Sequence, residues 1–132
     1  MNTITEVTAA ILRREGRILL LRRAPGQKHA GMWEFPGGKT EPGETPQGCL
    51  ERELAEELGI IGTTGAHLMD SPYDYPGGSI NLRAYEFDWQ PCEPELRVHD
   101  AAAWCLPAEL GDYALTPADI PVAERLRADA VG

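Results

Sequence analysis

The sequence predicts a mixed α/β fold, a mixed β-sheet sandwiched between helices, on three observations. Two apolar stretches near the N-terminus, Thr3 to Leu12 and Ile18 to Leu21, have strand character. A capped amphipathic helix fits residues 45–59, and further strand-like segments followed by a terminal helical region lie beyond it. At 132 residues the chain is expected to be a single domain spanning 1–132, with room for one real core.

Within Thr3 to Leu12 the apolar residues Ile4, Val7, Ala9 and Ile11 alternate well enough for a strand. Arg13-Arg14-Glu15-Gly16 supplies a turn, and Ile18-Leu19-Leu20-Leu21 reads as a strand buried on both faces. Arg22 and Arg23 end it. Arg22 is expected to face solvent, whereas Arg23 stands near enough to the chemistry to reach a phosphate or lie over a base. Residues 24–32 form a loop in which His29 faces solvent. Trp33 to Gly38 is a short strand and glycine turn, and Gly37 and Gly38 let the backbone approach a ligand closely. After the helix, Ile60-Ile61 and Ala66 to Met69 suggest a strand. Pro72 to Gly78 reads as a turn by its proline and glycine content, and Ile80 to Phe87 as the next strand. Gln90 to Arg97 is a loop, Val98 to Cys105 a strand, and Thr116-Pro117 opens a final helix in which Ile120, Ala123 and Leu126 face the core.

The chemistry concentrates between Gly38 and Ile60. Thr45 is placed to cap a helix with Pro46 at its first position, and Gly59 sits where it stops. Leu50, Leu54 and Leu58 form the buried stripe, which puts Glu53, Glu56 and Glu57 on an adjacent arc of roughly 100°. Taken alone, E-x-x-E-E is a common acidic face in water. Three carboxylates in one arc also repel one another unless a cation lies among them, and a hard divalent ion with oxygen ligands suits such a set.

Gly38, Glu44, Arg52-Glu53, Leu54, Glu56-Glu57, Gly59 and Ile60 occupy every fixed position of the Nudix box. The chain therefore resembles the Nudix hydrolases, in particular the MutT-like and CTP-pyrophosphohydrolase-like branch. The resemblance is most specific at 33–60 and spans nearly the whole chain. It implies the α/β/α Nudix fold and Mg²⁺ as cofactor, with Mn²⁺ as a substitute. It implies Glu53, Glu56 and Glu57 as metal ligands, with Glu53 also orienting or deprotonating the water, and a backbone carbonyl at Gly37 completing the metal shell. It implies that Arg52 pairs with Glu44 to tether the loop to the helix. Phe35 resembles a residue that packs beside the base; core packing fits its position equally well.

The chain departs from that pattern once. MutT-like proteins carry a further acidic residue six positions before a late tryptophan, and counting back from Trp104 lands on Val98. Glu95, His99 and Asp100 lie close by, with Asp100 the first choice among them. This leaves the general base open. Residues 115–121, LTPADIP, resemble the base-reading segment of the same branch, with Asp119 at the reading position. Its carboxylate suits an edge that donates, such as the cytosine amine or the N7–H of 8-oxoguanine. Thr116-x-x-Asp119 equally reads as a capping-box variant. Tyr73 and Tyr75 fit either base stacking or packing over their loop.

Composition narrows the classes. A net charge of −9 argues against a nucleic-acid polymer as partner. Residues 1–40 carry seven Lys/Arg against three Glu, a local +4 that leaves −13 for the remainder. A polyphosphate approaching the carboxylate helix needs bound cations, while its other end meets the Arg-rich third. No apolar run has membrane-spanning length, nothing reads as a signal peptide, and Cys49, Cys92 and Cys105 read as reduced thiols, so a cytoplasmic location is expected. The expected partner is a small nucleotide, with the chain a monomer or homodimer.

The expected reaction is NTP + H₂O to NMP + pyrophosphate, with water attacking the β-phosphorus as the resemblance implies. The expected substrate is 8-oxo-dGTP or another modified (d)NTP, and then CTP, dCTP or a 5-substituted dCTP. Hydrolysis of a nucleoside diphosphate linked to another group, such as ADP-ribose, is the enzymatic alternative. That branch more often carries an N-terminal segment ahead of the first strand. A nucleotide sensor without turnover is the reading from another class. Val98 is its support, and the intact Glu53/Glu56/Glu57 set argues against it.

Overall fold

The computed structural model describes residues 4–131; Thr3 of the first expected strand lies outside them. The elements are β1 (Ile4–Ile11), β2 (Arg13–Arg14), β3 (Arg17–Arg23), β4 (Trp33–Glu34), β5 (Gly37–Lys39), α1 (Pro46–Leu58), β6 (Gly62–Tyr75), β7 (Gly78–Trp89), β8 (His99–Cys105) and α2 (Ile120–Val131). Two short 3₁₀ turns, Pro107–Asp112 and Pro117–Asp119, precede α2.

One sheet has the order β5-β1-β7-β6, with β1 and β7 parallel and the outer pairs antiparallel. The other is built on β3, which pairs antiparallel with β2, β4 and β8. Alternation sorts the apolar residues of both sheets to two faces. Ala9, Ile11, Ile18 and Leu20 pack with Val122, Ala123 and Leu126 of α2. Ala10, Leu12, Leu19 and Leu21 pack with Leu50, Leu54 and Leu58 of α1. A helix on each side explains why β3 is apolar without interruption, and the predicted sandwich is present.

Helix α1 has the predicted ends. Thr45 Oγ1 accepts the Gly48 N–H at 3.0 Å, and Pro46 opens the first turn. Gly59 takes φ 67°, a left-handed cap that lets its N–H reach Ala55 O and the Ile60 N–H reach Leu54 O, each at 3.1 Å. Beyond it, Glu95 N donates to Leu58 O at 2.9 Å, and Arg97 Nη1 donates to the carbonyls of Ala55 (3.2 Å) and Glu56 (2.9 Å). The loop before β8 thus straps down the last turn of α1 and places a cation at its negative end.

Two local expectations need correction. Pro72 to Tyr75 continue β6 and pair with β7 as far as Tyr75↔Gly78, so the turn shrinks to its tip; cross-strand pairing overrides the proline signal at an edge strand. Ile120 is 43% exposed and Val122 takes the buried position, because α2 begins directly from a 3₁₀ turn and its phase is set there. Arg22 faces solvent as expected, its side chain 41% exposed, and there its Nε donates to Asp100 Oδ1 at 2.7 Å. Cys49 and Cys105 are fully buried, and Cys92 is exposed; all three are free thiols.

Candidate active site

A cavity of about 670 Å³ opens between the N-terminal third, the last turn of α1, the tip joining β6 to β7 and the turn that precedes α2. Of the residues singled out by sequence, Arg23, Phe35, Gly37, Gly38, Glu57, Tyr75 and Asp119 line it. Glu53 and Glu56 do not, since both turn toward Arg52.

The acidic end is organised by Arg52. Its Nε and Nη2 donate to the two oxygens of Glu44 at 2.6 and 2.9 Å, and its Nη1 donates to Glu53 Oε1 (2.9 Å) and Glu56 Oε2 (3.1 Å). The bidentate pair holds the Glu44 carboxyl down at about 2, well below its ordinary range, aided by the Glu41 backbone N–H. The loop is therefore tethered to α1 as expected. Glu57 experiences the opposite environment. Burial, a hydrogen bond to Glu53, and the charges of Glu53 and Glu34 push its carboxyl up to about 8.

Two carboxylates this close cannot both be ionised without a cation. The glycine turn keeps room beside them. A Cβ on Gly38 would lie 2.5 Å from Glu53 Cδ and 2.6 Å from Glu53 Oε2; one on Gly37 would lie 1.9 Å from Thr8 O. Among the described residues no three acidic, imidazole or thiol groups converge at coordination distance. Glu56 is exposed and Glu53 is held by Arg52, so a full ligand set needs side-chain rotation within α1. The donor chemistry of Glu53 and Glu57, all hard oxygen and short of positive charge, fits a divalent ion.

The opposite end is built on Asp119. Its Oδ1 accepts the Phe35 N–H at 3.2 Å and its Oδ2 accepts the Thr116 hydroxyl. Burial raises its carboxyl to about 7 against these two bonds. The two sequence readings of Asp119 therefore coexist: it fastens the turn before α2, and it lines the cavity. Phe35 is likewise both, a core residue whose ring reaches the cavity. Tyr75 packs against His29 at 5.3 Å and Tyr73 at 4.6 Å between ring centroids, and its hydroxyl accepts the Ala118 N–H at 3.3 Å. His29, expected to face solvent, is exposed yet lines the cavity through that contact.

Sequence reasoning missed Glu34. Its carboxylate accepts both bonds of Arg23 Nη1, at 2.9 and 3.0 Å, and pairs with His99 Nε2 at 2.9 Å. The signal was a lone acid between Trp33 and Phe35 in an otherwise apolar strand. The stand-in expected for Val98 also needs revision. Asp100 is engaged by Arg22 and does not line the cavity, and Glu95 is paired with Arg97. His99 and Val98 are the residues of that segment that line it. The cause is a bulge: β8 pairs regularly to Arg22↔Ala101, then skips Asp100, so that His99 stands opposite Arg23.

The chain is similar to known proteins. The model of the NUDIX domain matches residues 3–126. The CTP pyrophosphohydrolase of Escherichia coli (strain K12) is 42% identical over 123 residues, covering 93% of this chain and 91% of that protein. A putative 8-oxo-dGTP diphosphatase 2 of Mycobacterium tuberculosis is 39% identical over 115 residues, covering 86% and 81%. Among solved structures, that of the E. coli ORF135 protein superposes with a TM-score of 0.86 at 41% identity, covering 96% of this chain and 91% of that one.

Proposed function

The chain belongs to the Nudix family, hydrolases that cleave phosphoanhydride bonds and are generally dependent on divalent metal, and on that premise we propose that it is a Mg²⁺-dependent nucleoside triphosphate pyrophosphohydrolase. It converts NTP and water to NMP and pyrophosphate, acts as a single domain in the cytoplasm, and takes 8-oxo-dGTP or a related modified nucleotide first. The observation that carries this reading is the cavity with a cation-requiring carboxylate, Glu57, at one end and a buried acceptor, Asp119, at the other.

Glu53, Glu56 and Glu57 would hold the metal, together with the Gly37 backbone carbonyl. When bound, the ion neutralises phosphoryl oxygens and makes a water more acidic. The chain's own contributions are positional. Arg52, fixed by Glu44, steers Glu53 and Glu56; Glu53, hydrogen-bonded to Glu57, takes or orients the proton of the water. Gly38 leaves space for a phosphate to approach. Tyr75 and Phe35 supply apolar surface to a base, and Asp119 accepts from its N–H edge. Val98 cannot do proton chemistry, so the carboxylates of α1 carry it.

A second substrate, CTP, dCTP or a 5-substituted dCTP, is favoured by one specific observation: the 42% identical relative is a CTP pyrophosphohydrolase. Cytosine also offers an N–H edge to Asp119. Phosphate and pyrophosphate release with Mg²⁺ across 8-oxo-dGTP, dGTP, CTP, dCTP and ADP-ribose decides. Pyrophosphate from a triphosphate supports the proposal; tight binding without release supports the sensor. Asp119→Ala should reorder the bases by about tenfold, and an unchanged order would reduce Asp119 to a fastener of its turn.

A further inference from the structure

Strand β8 opens on His99, which the bulge at Asp100 takes out of the Ala101, Ala103, Cys105 row and sets opposite Arg23, so a buried histidine stands at the cavity end of a strand whose other buried positions are small or apolar. Its side chain is 3% exposed. Its Nδ1 has no partner among the described residues, while Nε2 lies 2.9 Å from Glu34 Oε2. An ionised carboxylate only accepts, so Nε2 carries the hydrogen of that bond. A buried, half-satisfied imidazole is costly in a strand that alanine would fill, and such a group needs a reason.

Glu34 supplies one. The Arg23 pair and His99 occupy three of its roughly four acceptor positions, which leaves room for one more donor. Glu34 is close enough to Glu57 at one end of the cavity and to Asp119 at the other to raise both carboxyls. With phosphates at the first end and the base at the second, the part of a nucleotide that falls beside Glu34 is the sugar, whose hydroxyls are donors.

We propose that His99 is a positioning residue: together with Arg23 it holds the Glu34 carboxylate so that a free acceptor oxygen meets a sugar hydroxyl of the bound nucleotide. The bulge at Asp100 is the backbone device that brings the imidazole there. His99 touches neither the reacting phosphorus nor the water, so its effect falls on binding. This rests on the hydrolase reading above.

The test compares wild type, His99→Leu, which fills the space without a donor, and His99→Gln, which keeps one. Turnover with Mg²⁺ is measured on 8-oxo-dGTP and dCTP and on their 2′,3′-dideoxy forms, with calorimetric binding of the corresponding monophosphates. His99→Leu should raise KM and monophosphate Kd about tenfold, the worth of one charge-assisted hydrogen bond, with kcat changed less than about threefold. His99→Gln should recover most of that. With the dideoxy forms the wild type and His99→Leu should agree within about twofold, which no general loosening of the strand would produce. An equal penalty on both sugars, a Gln variant no better than Leu, or a fall in kcat at unchanged KM each overturns the proposal. Should His99→Leu not fold, His99→Ala takes its place as the variant without a donor in the same comparison of the two sugars, and an equal penalty on both, or none on either, again overturns the proposal. A wild type that neither hydrolyses nor binds these nucleotides refutes the hydrolase reading itself, an outcome distinct from a working enzyme indifferent to residue 99.

Discussion

Glu57 is the residue on which most depends, and its protonation gives a sign that can be checked. Its folded carboxyl stands at about 8, above the ordinary 4.5. The proton therefore stabilises the metal-free protein fully below about 4.5, and that contribution is lost as pH rises through about 8. A metal must displace the same proton, so apparent Mg²⁺ affinity should increase between about pH 6 and pH 8.5. The thermal shift produced by Mg²⁺ should grow over that range; a shift independent of pH would refute the assignment. Glu57→Gln should remove turnover by at least about a thousandfold while leaving the metal-free melting temperature equal or higher above about pH 8, because no buried charge is left to pay for. Asp119 follows the same direction. Raised to about 7 from 3.8, it weakens the fold as pH climbs through that interval. Asp119→Asn should therefore gain roughly 3–6 °C in Tm over wild type at about pH 8 and little at about pH 4.

Among the elements, the glycine turn and α1 act as one part. Gly37 and Gly38 are adjacent but exclude a side chain for different reasons, which predicts different failures. A Cβ on Gly37 meets the Thr8 carbonyl of the paired strand β1 at a φ of +156°. Gly37→Ala should cost about 2–4 kcal/mol in denaturant melts. A Cβ on Gly38 meets the movable carboxylate of Glu53. Gly38→Ala should cost less than about 1 kcal/mol yet lower kcat/KM by about a hundredfold, because it displaces Glu53 beside the proposed metal site. Equal losses in both assays for the two variants would mean that the turn serves stability alone. The helix itself was legible in advance: cap, proline, leucine stripe and stop glycine are local features, and the structure has all four. The strand lengths were less so. β6 reaches Tyr75 because β7 lies alongside, and no local signal at Pro72 reports that neighbour.

At the scale of the molecule, β1 and β3 each contribute to both hydrophobic faces, so neither helix can leave without exposing a shared sheet. Leu20→Ala on the α2 side and Leu54→Ala on the α1 side should each cost about 2–5 kcal/mol. Near- and far-ultraviolet dichroism should still unfold together, and separated transitions would divide the proposed single domain. The acidic total charge with an Arg-rich first third also acquires a location: Arg23 and Lys28 border the cavity, whereas Arg13 and Arg14 are spent on Glu86 and Glu93 far along the chain. The sequence by itself determined the helix and the three carboxylates on one arc, because these depend on spacing within about twenty residues and on fixed helical geometry; the family and the Glu44–Arg52 tether came through the resemblance carried by residues 33–60. Only the tertiary structure decided that Glu57 alone of the three faces the cavity, that Asp119 both fastens and lines, and that His99 rather than Asp100 turns to Glu34. Those depend on a bulge and on pairings between residues 65 to 84 positions apart, and side chains that distant are brought together by packing, which no short stretch of sequence encodes.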